Sequence, residues 1–217
     1  MIKNQNRSKW FGASDVSMVV GNWETETFKN WWIVKLGLDD NRVRKWIMDC
    51  GNLLEIPIIR KIEKLEKRKI KIGKHPYYNL RLCLRCNYDG LRKEEVVEVK
   101  TTATPFKKIP IRYWRQCQVL MYRKKKKRTA LYEYRVLESD YLNPYFPDID
   151  EKRLFKHVIE YDEQFINEVF LPRLRYLARC LRAGKFPKEE EYVQYNSKKR
   201  KGPIKSVNAG GESCSTT

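Results

Sequence analysis

Residues 87–101 read Asn-Tyr-Asp-Gly-Leu-Arg-Lys-Glu-Glu-Val-Val-Glu-Val-Lys-Thr, and their spacing decides the architecture. In an extended chain residues i and i+2 share a face, so Glu98 and Lys100 point one way while Val97 and Val99 point the other. Two apolar residues on one face, with an acid and a base on the other, suit a core strand that carries a site at its edge. Upstream, Leu80, Leu82, Leu84 and Tyr88 alternate with polar residues, which predicts a strand over 80–88 ending at the turn-prone Asp89-Gly90. That order brings the Asp89 carboxylate beside Glu98.

Around this centre the pattern is mixed. Helices are predicted from Ser14 or Asp15 to Gly21, over 27–36 and over 46–69, the last interrupted at Pro57. A loop over 105–110 leads to a helix over 113–122, a basic turn at 123–128 and a strand over 129–137. The region 151–182 reads as helical with a kink at Pro172, and from Asn196 the chain turns Ser-, Gly- and Lys-rich. The expected fold class is therefore α/β: a central mixed β-sheet flanked by helices, with a helical C-terminal region. One domain over 1–195 and a basic disordered tail over 196–217 are expected.

Composition bounds the chemistry. The 217 residues carry 46 Lys+Arg against 27 Asp+Glu, a formal charge of +19 that points to a polyanionic partner. The share of apolar residues, 41%, is enough to bury a core, which excludes general disorder. No apolar run reaches the ~18–20 residues of a membrane span. The opening Met1–Arg7 lacks the apolar stretch of a secretory signal, so an intracellular protein is expected. Of the six cysteines only Cys83 and Cys86 have metal-ligand spacing, and neither a second pair nor His75 or His157 completes a site; reduced thiols are expected. Trp23, Trp31, Trp32 and Trp46 read mostly as core rather than as base-stacking residues.

Two carboxylates side by side repel unless a divalent cation lies between them, and oxygen donors favour Mg²⁺, with Mn²⁺ as a substitute. Lys100 beside such a cation is placed to hold and help deprotonate a water that attacks a phosphodiester. The same residues also describe an exposed cross-strand ion pair behind an ordinary hairpin turn, and the local pattern leaves both readings open.

Blocks along the chain add a resemblance. Arg7 precedes Gly12-Ala13-Ser14-Asp15; Gly51 and Glu55 stand four apart before Pro57; Asp89-Gly90 precedes Glu98-Val99-Lys100; Tyr113, Gln116 and Gln118 follow; and Ala183-Gly184-Lys185-Phe186-Pro187 closes the series. Their order and spacing over residues 7–187 resemble the lambda exonuclease/YqaJ group of the PD-(D/E)XK nucleases. The resemblance implies a restriction-endonuclease-like core and a Mg²⁺-dependent DNA exonuclease acting on duplex 5′ ends in phage- or virus-type recombination. A structure-specific or single-strand endonuclease and a non-catalytic nucleic-acid binder are the alternatives.

By the same resemblance Asp89, Glu98 and the Val99 carbonyl would hold metal and Glu55 would support a second ion. Lys100 would position the nucleophile and Gln116 would orient the site, while Tyr113, lining it, and Gln118 would bind DNA. Arg7, helped by Ser14, would grip a 5′-phosphate. A single-strand annealing protein as partner and a homo-oligomeric ring around DNA are also in keeping with the group. The basic run Lys124, Lys125, Lys126 and Lys127 reads as a solvated turn or as a clamp on DNA phosphates. Lys198-Lys199-Arg200-Lys201 reads as a DNA tether or as a nuclear localisation signal, which leaves host cytoplasm or nucleus open.

Overall fold

The structure, a computed structural model, describes residues 8–39, 45–73, 75–142 and 148–200. Strand β1 (Phe11–Gly12) opens the chain and is followed by a 3-10 turn (Ala13–Asp15), α1 (Val16–Val20) and α2 (Glu26–Leu36). Thr25 caps α2 by accepting from Phe28 N–H at 3.2 Å, and Gly37, at φ 78°, ends it in the left-handed conformation that glycine adopts without strain. Helix α3 (Lys45–Glu66) continues through Pro57, so the proline does not end it.

Next come β2 (Lys71–Ile72), β3 (Tyr77–Asn79), β4 (Leu84–Cys86), β5 (Gly90–Leu91) and β6 (Glu95–Thr102). Helix α4 (Ile111–Lys124), β7 (Arg128–Arg135), α5 (Glu138–Leu142) and β8 (Leu154–Glu160) follow. A π-helical turn (Phe165–Phe170), α6 (Leu171–Arg182) and α7 (Glu189–Arg200) complete the order.

The main sheet has five strands in the order β2-β5-β6-β7-β8, and a smaller one has the order β1-β4-β3. β6 and β7 run parallel, with α4 as the crossover, while the other pairs of the main sheet are antiparallel. The sheet is therefore mixed, as the sequence pattern implied. Val97 and Val99 join Ala130 and Tyr132 in packing against Leu54, Ile58, Ile59 and Ile62 of α3. Each of those aliphatic side chains, removed from water, contributes roughly 1.5–3 kcal/mol. On the opposite face Val96, Leu131 and Ile159 meet Val119 and Leu120 of α4 and the apolar sides of α1, α2 and α6. Trp23 and Trp32 are buried in that second core, in agreement with their reading as core residues, and Trp31 packs against it. Nothing is described of the Trp46 side chain.

Three expectations are corrected. The strand expected over 80–88 shrinks to β4, because Asn79 caps a 3-10 turn over Leu80–Leu82 and Cys83 sits at φ 48°, which breaks the alternation. The helix expected from 151 begins only after β8, since 154–160 pairs along the edge of β7. Its apolar residues Leu154, Phe155, Val158 and Ile159 fit either period, and the unpaired edge of β7 decides between them. Finally, α7 carries the chain as helix through Arg200, past the Asn196 boundary expected for the tail. The remaining tail, 201–217, lies outside the described residues.

At Pro172 the expected kink takes a specific form. Proline cannot donate to a helical hydrogen bond, and the chain winds as a π turn immediately before it, so that Pro172 falls in the first turn of α6. At the start of β6, Arg92 is buried between Glu66 (2.6 Å) and Glu95 (2.9 Å), and Tyr132 and Lys156 also bind Glu66. These ions pin the end of β6 opposite to Lys100.

Gly90 is a packing requirement: a Cβ there would lie 2.3 Å from the Cγ2 of buried Ile70. Gly90→Ala is expected to destabilise the fold by about 1–3 kcal/mol through overpacking, measured by urea denaturation. Combining it with Ile70→Ala should recover part of that loss, whereas simple additivity would show that the contact is not the cause.

Candidate active site

The β5–β6 hairpin assembles the centre. Gly90 pairs with Val97, and continuing that register sets Asp89 opposite Glu98. The Asp89 Oδ2 accepts the Val99 N–H at 2.7 Å, which fixes the first carboxylate against the strand that carries the second. Glu98 is buried at 2% exposure, and its Oε1 accepts from Lys100 Nζ at 2.6 Å and from Gln116 Nε2 of α4 at 2.7 Å. Its other oxygen, Oε2, is buried with no hydrogen-bond partner among the described residues. The plain exposed ion pair is thereby excluded: the acid is interior and half satisfied.

Helix α3 adds Glu55. A Cβ on Gly51 would stand 3.3 Å from Thr101 Oγ1, so the glycine lets the helix approach the end of β6, and one turn later comes Glu55. Burial, then the charges of Asp89 and Glu98, push the Glu55 carboxyl up to about 8. Burial and then Asp89 raise Glu98 to about 7, against the opposing pull of Lys100. Asp89 is raised by burial too. Burial alone would lower Lys100, but Glu98 and Asp89 outweigh it and hold the ammonium above its ordinary value. Lys100 is thus held as a charged donor to Glu98.

Does this donor set fit a divalent cation? The unpartnered Glu98 Oε2, beside a second carboxylate and close to a third, is an oxygen-rich position with surplus negative charge. Among the described residues no three His, Cys, Asp or Glu side chains close on one point. The side chains that would hold an ion are Asp89 and Glu98, opposite each other in the hairpin register, with the Val99 carbonyl as an additional oxygen and Glu55 alongside.

Other expected residues fall variously. Gln116 and Tyr113 share one face of α4, and the Tyr113 ring lies 5.6 Å from Lys100 Nζ. Ser14 is exposed on the turn over Ala13–Asp15, which packs on α4. Arg7 lies outside the described residues. Gln118 is corrected: it is fully buried, donates to the Glu160 carbonyl and accepts the Asp162 N–H, so it ties β8 to α4 and has no surface to offer DNA.

The basic run divides. Lys124 rests on the rings of Tyr88 (3.8 Å) and Tyr77 (4.5 Å), next to Asp89 in sequence. Lys125 is exposed at the left-handed end of α4. Lys126 donates to the Lys93 carbonyl, and Lys127 lies over Tyr161. The sequence reading missed Glu133, a carboxylate in the apolar run 130–134. It is buried on β7 as the register partner of Lys100 and holds His157 at 3.0 Å.

The fold defined by this sheet, with α3 on one face and α4 on the other, is the restriction-endonuclease-like one. It matches the alkaline exonuclease from Laribacter hongkongensis at TM-score 0.58 and 19% identity, over 89% of this chain and 96% of that one. The same exonuclease in complex with dAMP gives 0.57 at 19% identity, over 89% and 96%. A phage-related exonuclease from Haemophilus somnus 129PT gives 0.53 at 14% identity, over 88% and 96%. No protein-family model matches the sequence, and no curated protein does.

The raised carboxyls have a consequence for stability. The folded state retains protons that the unfolded chain releases near 4.5, so their stabilisation is complete below that value and is lost as pH rises through about 7 and about 8. In EDTA the melting temperature should fall across this window, and Glu55→Gln should remove the upper part of the fall. A Glu55→Gln profile parallel to wild type would contradict the assignment.

Proposed function

We propose that this chain is a divalent-metal-dependent deoxyribonuclease that degrades duplex DNA from a 5′ end. The observation that carries the reading is the Glu98 carboxylate: one oxygen is held by Lys100 and Gln116, and the other is buried with no hydrogen-bond partner among the described residues, opposite Asp89. Support also comes from the fold shared with exonuclease structures, one of them in complex with dAMP, and from the charge of +19.

A Mg²⁺ ion bound between Asp89 and Glu98 would supply charge to polarise the phosphate and acidify a water. Lys100 donates from a fixed position to the oxygen on which negative charge develops, in a site where burial strengthens the interaction. Gln116 locks Glu98 in its rotamer, so that the free oxygen keeps its direction. The Tyr113 ring faces the Lys100 ammonium. Ser14 and Arg7 complete the proposal as the 5′-phosphate grip.

Incubation of linear and circular duplex DNA with Mg²⁺ or with EDTA tests the reading. Metal-dependent loss of linear DNA alone is expected; nicking of circles would favour an endonuclease, and retained binding without cleavage a binding protein. Lys100→Ala should reduce cleavage roughly 10²–10³-fold or more while DNA binding persists, and wild-type cleavage by that variant would remove Lys100 from the site.

A further inference from the structure

Burying a carboxylate among apolar neighbours costs several kcal/mol unless it is well hydrogen-bonded. Glu133, at 1% exposure, occupies such a place on the sheet face that bears Glu98 and Lys100. Its oxygens are committed outward from the sheet: Oε1 accepts the Phe106 N–H at 2.7 Å, and Oε2 faces His157 Nε2 at 3.0 Å. The segment that Glu133 holds is 103–110, the irregular connection from β6 to α4.

Three contacts join that connection to the site. The Phe106 ring lies 5.4 Å from Tyr113 and 6.0 Å from His157, and Tyr113 lies 5.6 Å from Lys100 Nζ. Immediately after Phe106 stand Lys107 and Lys108, both exposed, and Arg112 beyond them lies over the Tyr113 ring at 4.7 Å. A buried acid therefore anchors a loop that exposes Lys107 and Lys108 and reaches the candidate catalytic lysine through Phe106 and Tyr113.

We propose that loop 103–110 grips backbone phosphates flanking the scissile bond through Lys107 and Lys108, with Glu133 as the positioning residue that holds the loop in place. This rests on DNA being the substrate. Each phosphate neutralised adds to the salt dependence of binding, which gives the loop a signature separate from catalysis.

The test is binding of a short fluorescent linear duplex in EDTA, as a function of salt, by the full chain. Replacing both Lys107→Gln and Lys108→Gln should flatten the slope of log Kd against log salt by about 1.8, about 0.9 for each phosphate. Glu133→Leu should flatten it to the same extent, and adding the lysine changes to it should flatten it no further. A merely structural Glu133 would lower the melting temperature and leave the slope alone. If Glu133→Leu does not fold, His157→Phe, which keeps the ring beside Phe106, should shift the slope in the same direction by less.

An unchanged slope in the lysine variant overturns the loop assignment. A reduced slope there, with a wild-type slope in folded Glu133→Leu or His157→Phe, overturns the clamp. Absence of DNA binding by the wild type would remove the nuclease reading and this proposal with it; metal-dependent cleavage with unaltered slopes would remove the loop alone.

Discussion

Glu98 is an acid in the interior of a sheet, and the rest of the molecule is arranged around keeping it there. A lone buried carboxylate takes up a proton or finds a counter-charge. Here Lys100, two residues along the same strand face, supplies the charge, and Gln116 supplies a neutral donor from across the interface with α4. That leaves one oxygen without a hydrogen-bond partner among the described residues, opposite Asp89. Such an arrangement is poor for stability, and a proton or a cation on that oxygen would relieve it. The hairpin register, the close approach of α3 at Gly51 and the ridge of α4 all serve that one geometry.

Much of this was legible from residues 87–101, because a period of two fixes which side chains share a face regardless of what packs on them. Val97 and Val99 do enter the α3 core, and Glu98 and Lys100 do meet on the other side. What the local pattern left open was burial, since alternating residues look alike at a solvated edge and at an interior one. Contact with Gln116, eighteen residues on, settles it. The misreadings have two causes. β8 is a strand because β7 has an edge to fill, Cys83 breaks its strand by a backbone angle, and Gln118 looks like a surface amide until β8 is placed against it. β8 and Gln118 depend on partners distant in sequence, while β4 is cut short by the local turn that Asn79 caps. Glu133 was visible as an acid in an apolar run, but its purpose is not readable without the loop it holds.

The excess charge also acquires structure. Lys124 is spread over two tyrosine rings adjoining Asp89, while Arg92 is consumed in a buried ion network at the other end of β6. A net +19 therefore does not describe a uniform cationic surface. Positive groups border an acidic centre, as expected where a polyanion must be brought up to carboxylates that would otherwise repel it.

The central claim is that the Asp89–Glu98 pair is built to take a divalent cation. Calorimetric titration of Mg²⁺ at neutral pH, repeated in buffers of different ionisation enthalpy, tests it most directly. Because Glu55 and Glu98 hold protons to about 8 and about 7, binding should release protons and tighten as pH rises through that window. Glu98→Gln should abolish both effects. Binding of Mg²⁺ with no proton release, or undiminished in Glu98→Gln, would contradict the account.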